Sequence, residues 1–217
     1  MVLLLSVKRR VFMLRRRFLS AGTEAATRVL APPVLQLGDQ RLRRRCREMN
    51  VSDPTLLQME RELHAALEEF RTTNGYGRGI SAPQIGHSIR MVACNLGHDA
   101  SHRPSEQPFT LLNPKITWRS PETFTMWDDC MSFPDKMVKV RRHRSISLSY
   151  VCPRDGKRFD WLGMGQAEAE LLQHELDHLD GVLAVDRAER TIARDEYLAR
   201  RDEYDAQVDY AIQPTTG

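Results

Sequence analysis

Leu56, Leu63, Leu67 and Phe70 recur at helical spacing behind Ser52-Asp53-Pro54. A capping side chain followed by proline is a helix start, and Asn74-Gly75 is a stop. Beyond it the apolar positions shorten into strand-like runs: Ile89–Cys94, Phe109–Leu112, Met137–Val140 and Ser145–Val151. Asn113-Pro114, Arg154-Asp155-Gly156 and Gly163-Met164-Gly165 punctuate them. Helical spacing returns over Gln166–Leu179 and is closed by Gly181. The charge run over about Arg190–Val208 predicts a last helix with a solvated face. Helix, several strands, then helix is the order of an α+β fold with antiparallel pairing. No repeat or low-complexity linker interrupts residues 34–217, which read as one domain.

Composition narrows the class. The chain has 217 residues, 41% hydrophobic and 28% charged, enough to bury a real core. No apolar run approaches the roughly 18 residues of a membrane helix, which excludes a transmembrane span. Cys46, Cys94, Cys130 and Cys152 form neither a disulfide framework nor a CxxC zinc ribbon. Residues 1–47 carry 12 Lys/Arg against Glu24 and Asp39, a net of +10 within a total of +3, which leaves −7 for the body. A mildly acidic body argues against direct nucleic-acid binding. Met1–Ala31 holds seven basic residues, one acid and interleaved apolar residues, the pattern of an organelle transit peptide. That places the protein in the mitochondrion or a plastid. A basic disordered tail, or a start at Met13, would instead leave it in the cytoplasm. Disorder is the expectation for Ile212–Gly217.

The sharpest chemical signal is His174-Glu175-Leu176-Asp177-His178, an H-E-x-x-H inside the predicted helix. Residues four apart share a helical face, so His174 and His178 can reach one metal ion. Ala167 and Leu171 continue that stripe and turn it inward. Glu175 is then placed to act on water at the metal. The motif alone suggests a zincin-type hydrolase whose third ligand is still to be found. His64, on the first helix, reads as a surface or core residue.

The chain resembles the peptide deformylase family. Gln173-His174-Glu175, Asp177-His178-Leu179 and Gly181 match the family's Q-H-E-x-D-H-L-x-G. Gly77 to Gly86 resembles G-x-G-L-A-A-x-Q-x-G, and Asp128 to Ser132 resembles E-G-C-L-S. The similarity runs from about Val34 to Asp186. It implies antiparallel sheets packed around the central HExxH helix, with Cys130 as the third metal ligand beside His174 and His178. It implies one divalent metal, Fe(II) first, with Zn(II) or another transition metal accepted. The implied reaction removes the N-formyl group from the N-terminal methionine of newly made polypeptides, releasing formate. Glu175 would be the general base and acid. Gln84, through its side chain, and Met131, through its backbone N–H, would hold the oxyanion. Substrate contacts are expected from Gly77, Arg78, Gly79, Asp129, Arg142 and Leu171, although Arg142 also sits in a plain basic strand. Asp177 is a candidate support residue. The partners would be N-formylated nascent peptides, at an organellar ribosome exit. On this reading residues 32–188 form the catalytic domain, and 189–217 a charged helix and tail.

Four residues depart from the family pattern. Asp129 replaces a glycine beside Cys130 and would be strained if its φ were positive. Asp128 replaces a glutamate, so its hydrogen bonds must be re-formed or lost. Arg78 and Glu170 bring charges where apolar residues are usual, which is costly without water or a partner. Ser81 for alanine is a small change. The departures keep two alternatives open: a metalloamidase for another small formylated or acylated substrate, and a metal-binding homologue without turnover. A plain HExxH protease would leave Cys130 and the other two motifs unexplained.

Overall fold

The computed structural model describes residues 29–96 and 108–211. The segment read as a targeting signal, 1–31, falls outside them except for its last three residues, and so does the tail from Ile212.

The first helix, α1, spans Leu56–Asn74 and ends on Gly75 in the left-handed region at φ 76°. Its start differs from the sequence expectation by one turn. Asp53 accepts from the Thr55 amide and hydroxyl, and the helix begins after Thr55. Eight strands follow: β1 Gly79–Ser81, β2 Met91–Cys94, β3 Phe109–Arg119, β4 Thr123–Asp128, β5 Lys136–His143, β6 Ile146–Val151, β7 Arg158–Trp161 and β8 Arg190–Ala193. All named pairs are antiparallel. They form a five-stranded sheet in the order β1-β2-β3-β6-β7 and a three-stranded sheet in the order β4-β5-β8. The α+β expectation holds.

Helix α2, Gln166–Leu179, comes between β7 and β8. Ala169, Leu172, Leu176 and Leu179 bury one side of it against Val92, Leu111, Ile146 and Leu148 of the larger sheet. Helix α1 covers that sheet elsewhere, where Leu63 and Leu67 meet Ile80, Met91 and Leu112. At about 1.5–3 kcal/mol for each fully buried Leu or Ile, these contacts fix α2 firmly. The rows of α2 that remain carry the polar residues. No helix among the described residues is long and apolar enough to cross a membrane.

The predicted last helix is not one helix. Its first four residues are β8, where Ile192 pairs with Met137. Two short helices follow, α3 Arg194–Ala199 and α4 Arg201–Asp205, broken at Arg200 with φ −132° and ψ 36°. Tyr197 and Tyr204 bury against Trp127 at ring distances of 6.1 and 5.3 Å. The Trp127 indole donates to the Tyr204 carbonyl at 2.9 Å. Few apolar residues bury the segment, chiefly Ile192, Tyr197 and Tyr204, which is why its charge pattern resembles a solvated helix.

Candidate metal centre and cleft

His174 and His178 lie one turn apart on α2, with ring centroids separated by 4.9 Å. Their Nε2 atoms are 3.1 Å apart, and Cys130 Sγ is 3.3 Å from His178 Nε2. The three ligand atoms all lie within 4.8 Å of one another, and all three residues are buried. Metal bonds of about 2.0–2.3 Å in a tetrahedral site require edges of this size. Asp128 ends β4 just before Cys130, and its Oδ2 lies 2.9 Å from His174 Nδ1. With Nδ1–H donating to the Asp128 carboxylate, Nε2 keeps its lone pair facing the cluster. Two imidazole nitrogens and a sulfur therefore converge in a buried space with no counter-charge among them. The donor set fits a divalent transition metal. Burial pushes the Cys130 thiol pKa up, so the thiolate needs a cation beside it.

Asp128 is itself held. Arg142 donates to it at 2.9 Å and to Asp177 at 2.5 Å, and Arg187 completes the chain on Asp177 at 2.7 Å. Burial opposes ionisation of Asp128, but His174 and Arg142 outweigh it and hold its pKa well below the carboxylate range. The shorter acid thus re-forms its hydrogen bonds. Arg142, however, is only 3% exposed and lies behind the ligands rather than in the cleft. The structure thus does not bring Arg142 together with the other expected substrate contacts; its guanidinium holds Asp128 instead. Asp177 is a support residue, through Arg142. Replacing Asp128 with alanine is expected to lower divalent-metal affinity about 10–100-fold. Competition against a chelator checks this; unchanged affinity contradicts the support role.

A cleft of about 220 Å³ opens beside the three ligands. Glu175, Gln84, Met131, Leu171, Gly77 and Gly79 line it, as do Arg78 and Asp129. Glu175 is 3% exposed and its Oε2 has no hydrogen-bond partner among the described residues. Burial pushes its pKa up to about 7. A Cβ at Gly79 would stand 3.0 Å from Glu175 Oε1 and 3.3 Å from Leu171 Cδ1. Glycine there leaves the carboxylate its place. At Gly77, φ is +120° and a Cβ would meet Met131 Cε at 2.7 Å.

Gln84 sits in a one-turn 3₁₀ helix after β1. Its Oε1 accepts from the Ser81 amide at 2.8 Å and the Ser81 hydroxyl at 2.9 Å. This fixes the amide, so its NH₂ faces Ser132 Oγ at 3.3 Å and Cys130 Sγ at 3.6 Å. The Met131 backbone N–H has no hydrogen bond among the described residues, while its side chain joins the α1 core. The Gln84 NH₂ thus lies beside the sulfur, and Met131, next to Cys130 in the chain, lines the same cleft.

The departures answer one another. Arg78 donates to Glu170, and also to the Ala167 carbonyl at 3.3 Å. The Arg78 side chain is 18% exposed and the Glu170 side chain 2%. Asp129, whose φ is not positive, accepts from Arg194 at 2.6 Å. The Arg194 guanidinium also stacks over Tyr76 at 4.3 Å. The C-terminal segment therefore walls the cleft with Arg194 and Tyr197, residues that the sequence reading missed. The available signal was Asp129 itself, an acid beside a metal ligand that requires a base.

His64 bonds Thr110 Oγ1 at 2.8 Å, away from the site. Cys46 and Cys94 are buried free thiols, and Cys152 is a half-buried one.

Comparison with known proteins agrees with this arrangement. The family model described as polypeptide deformylase matches residues 31–193. Peptide deformylase 2 of Nostoc sp. is 34% identical over 177 residues, covering 76% of this chain and 92% of that protein. The peptide deformylase of Thermotoga petrophila is 31% identical, covering 74% and 91%. Among solved structures, the Thermotoga maritima peptide deformylase superposes with a TM-score of 0.62 at 28% identity, covering 74% of this chain and 99% of that one. A Met-Ala-Ser-bound class I type b peptide deformylase from Acinetobacter baumannii gives 0.63 at 26% identity, covering 73% and 99%.

Proposed function

The chain belongs to the polypeptide deformylase family and is an enzyme that removes the N-formyl group from newly made peptides; from that premise we propose which residues carry the reaction. One observation supports the assignment above the others: the Cys130, His174 and His178 donor atoms converge beside a cleft that also holds Glu175 and Gln84. A divalent ion bound there supplies Lewis acidity for amide hydrolysis near neutral pH. Fe(II) is our reading because the family resemblance puts it first; a thiolate with two imidazoles suits Zn(II) as well.

The chain's own groups do the rest. Glu175 takes a proton from the attacking water at its unpartnered Oε2 and returns it to the leaving amine. A carboxylate whose pKa lies near 7 is suited to both transfers. The Gln84 NH₂ and the Met131 N–H receive the charge that develops on the formyl oxygen. The Ser81 lock orients the amide before substrate arrives, so no reorganisation is needed at the moment of reaction. Gly77 and Gly79 leave room for a peptide backbone, and Leu171 offers apolar contact. Gln84→Ala is expected to lower kcat about 10²–10³-fold with metal content unchanged. Steady-state kinetics beside metal analysis check this; a change in KM alone contradicts the oxyanion role.

The Arg78–Glu170 pair favours a second, narrower reading. The pair puts charge into an otherwise largely apolar wall, so formyl-methionine would lose apolar contact at that point. A more polar formylated or acylated substrate is the alternative.

We also read residues 1–31 as a mitochondrial targeting segment, on their basic, acid-poor composition. The deformylation reading is tested by stripping the full-length protein with a chelator. Formate release from formyl-Met-Ala-Ser should fall to background and return with Fe(II) added anaerobically. Release that survives removal of the metal overturns it.

A further inference from the structure

A second cleft, of about 520 Å³, lies on the other side of α2 and shares no lining residue with the first. Glu170, Leu171, His174 and Glu175 face the metal cleft, while Gln173, Leu176 and Asp177 face this one. Its walls come from stretches far apart in sequence: the approach to β2, the end of β3, the end of β5 and the loop after α2. The acidic body seen in the sequence gives no hint of what they bring together. Seven of the 15 lining residues are Arg or Lys, against Glu48, Asp177 and Asp180.

Two of those acids are already engaged. Asp180 accepts from Arg90 at 2.7 Å, and Asp177 from Arg142 and Arg187 at 2.5 and 2.7 Å. Arg141 reaches Glu189, outside the cleft, at 3.3 Å. Lys115 and Arg119, both exposed on β3, have no ion pair among the described residues. At the floor, Arg142 is 3% exposed and its Nε is buried with no hydrogen-bond partner among the described residues. Buried donors without acceptors are costly. An excess of cationic side chains around one concave space suits the multiple acceptor oxygens of a phosphate.

We propose that this rear cleft binds phosphate groups, with Lys115, Arg119 and Arg141 as the contacting cations. Two sources carry that chemistry: the phosphodiester backbone of RNA, and free phosphate. A phosphate held there leaves the metal cleft open to a peptide. The proposed contacts Lys115, Arg119 and Arg141 have no part in the deformylation machinery, although Arg142 and Asp177 at the floor also support the metal site from behind, so the proposal stands or fails separately from that reading.

The test uses the full-length protein and the Lys115→Glu/Arg119→Glu double variant. A fluorescent single-stranded RNA oligonucleotide is titrated by anisotropy at several salt concentrations, and inorganic phosphate is titrated by calorimetry. Formate release and melting temperature should match in the two proteins, since both substitutions are exposed and outside the metal cleft. If the ligand is RNA, the variant binds at least tenfold more weakly. Its slope of log K against log salt also becomes shallower by about 1.4, roughly 0.7 for each lost contact. If it is free phosphate, calorimetric binding is lost in the variant while the RNA titration does not distinguish the two proteins. Equal RNA binding by both proteins with no phosphate binding by either overturns the proposal. It would assign any RNA affinity to the basic stretch at residues 8–28. No binding of either ligand at 50 mM salt overturns it as well.

Discussion

Replacing Glu175 with glutamine should lower turnover about 10²–10⁴-fold, the usual worth of a positioned general base. The isosteric amide keeps the contacts that Gly79 allows but cannot accept the proton. Glu175 is not one of the three converging donors, so metal content should stay at one ion per chain. The expected signature is a fall in kcat with KM little changed and the fold intact. Stability should hold or rise, because burial already disfavours the Glu175 carboxylate and a neutral amide avoids that cost. Activity within a few fold of the parent would remove Glu175 from the chemistry.

The second large effect concerns the charges that depart from the family pattern. Arg78 and Glu170 are 92 positions apart in sequence and form one ion pair at the cleft wall. Glu170→Ala would leave a mostly buried guanidinium uncompensated. Breaking such a pair costs about 3–5 kcal/mol, a fall in melting temperature of roughly 6–20 °C for a chain this size. Replacing both with isoleucine removes both desolvation penalties and should recover the loss, since apolar replacement of a buried pair is often neutral or stabilising. The same double variant presents apolar surface to the substrate, so kcat/KM for formyl-Met-Ala-Ser should rise severalfold. Thermal melts and kinetics on the two single variants and the double variant close the cycle. Additive losses would show that the two residues do not support each other.

This pair also shows where sequence reading stops. Arg78 and Glu170 each look costly alone, and nothing along the chain says that the fold brings them together. The same holds for Asp129 and Arg194, separated by 65 positions. By contrast, α2 was legible to the residue, because the apolar stripe, the H-E-x-x-H spacing and Gly181 all agree locally. The four strands seen as apolar runs are present, though β3 and β5 run longer than their apolar cores. Strands β1, β4, β7 and β8 escaped because they are short or mostly polar. Their pairing comes from neighbours: β8 is a strand because β5 offers it an edge. The burial of Arg142 escaped for a related reason. A basic strand looks solvated until Asp128 and Asp177 arrive from elsewhere to bury it. Cys130 as third ligand came from the family resemblance rather than from spacing, since it lies 44 positions before His174.

We propose that Cys130, His174 and His178 hold a metal beside Glu175 for hydrolysis of a formyl amide. Formate and metal measured together on one preparation test it most directly. Full-length protein loaded with Fe(II) under anaerobic conditions should carry one ion per chain and release formate from formyl-Met-Ala-Ser through many turnovers. A Cys130→Ala preparation, carried through the same loading, should retain neither the ion nor the activity. One bound ion per chain with no formate from this or any other formylated peptide would contradict the account.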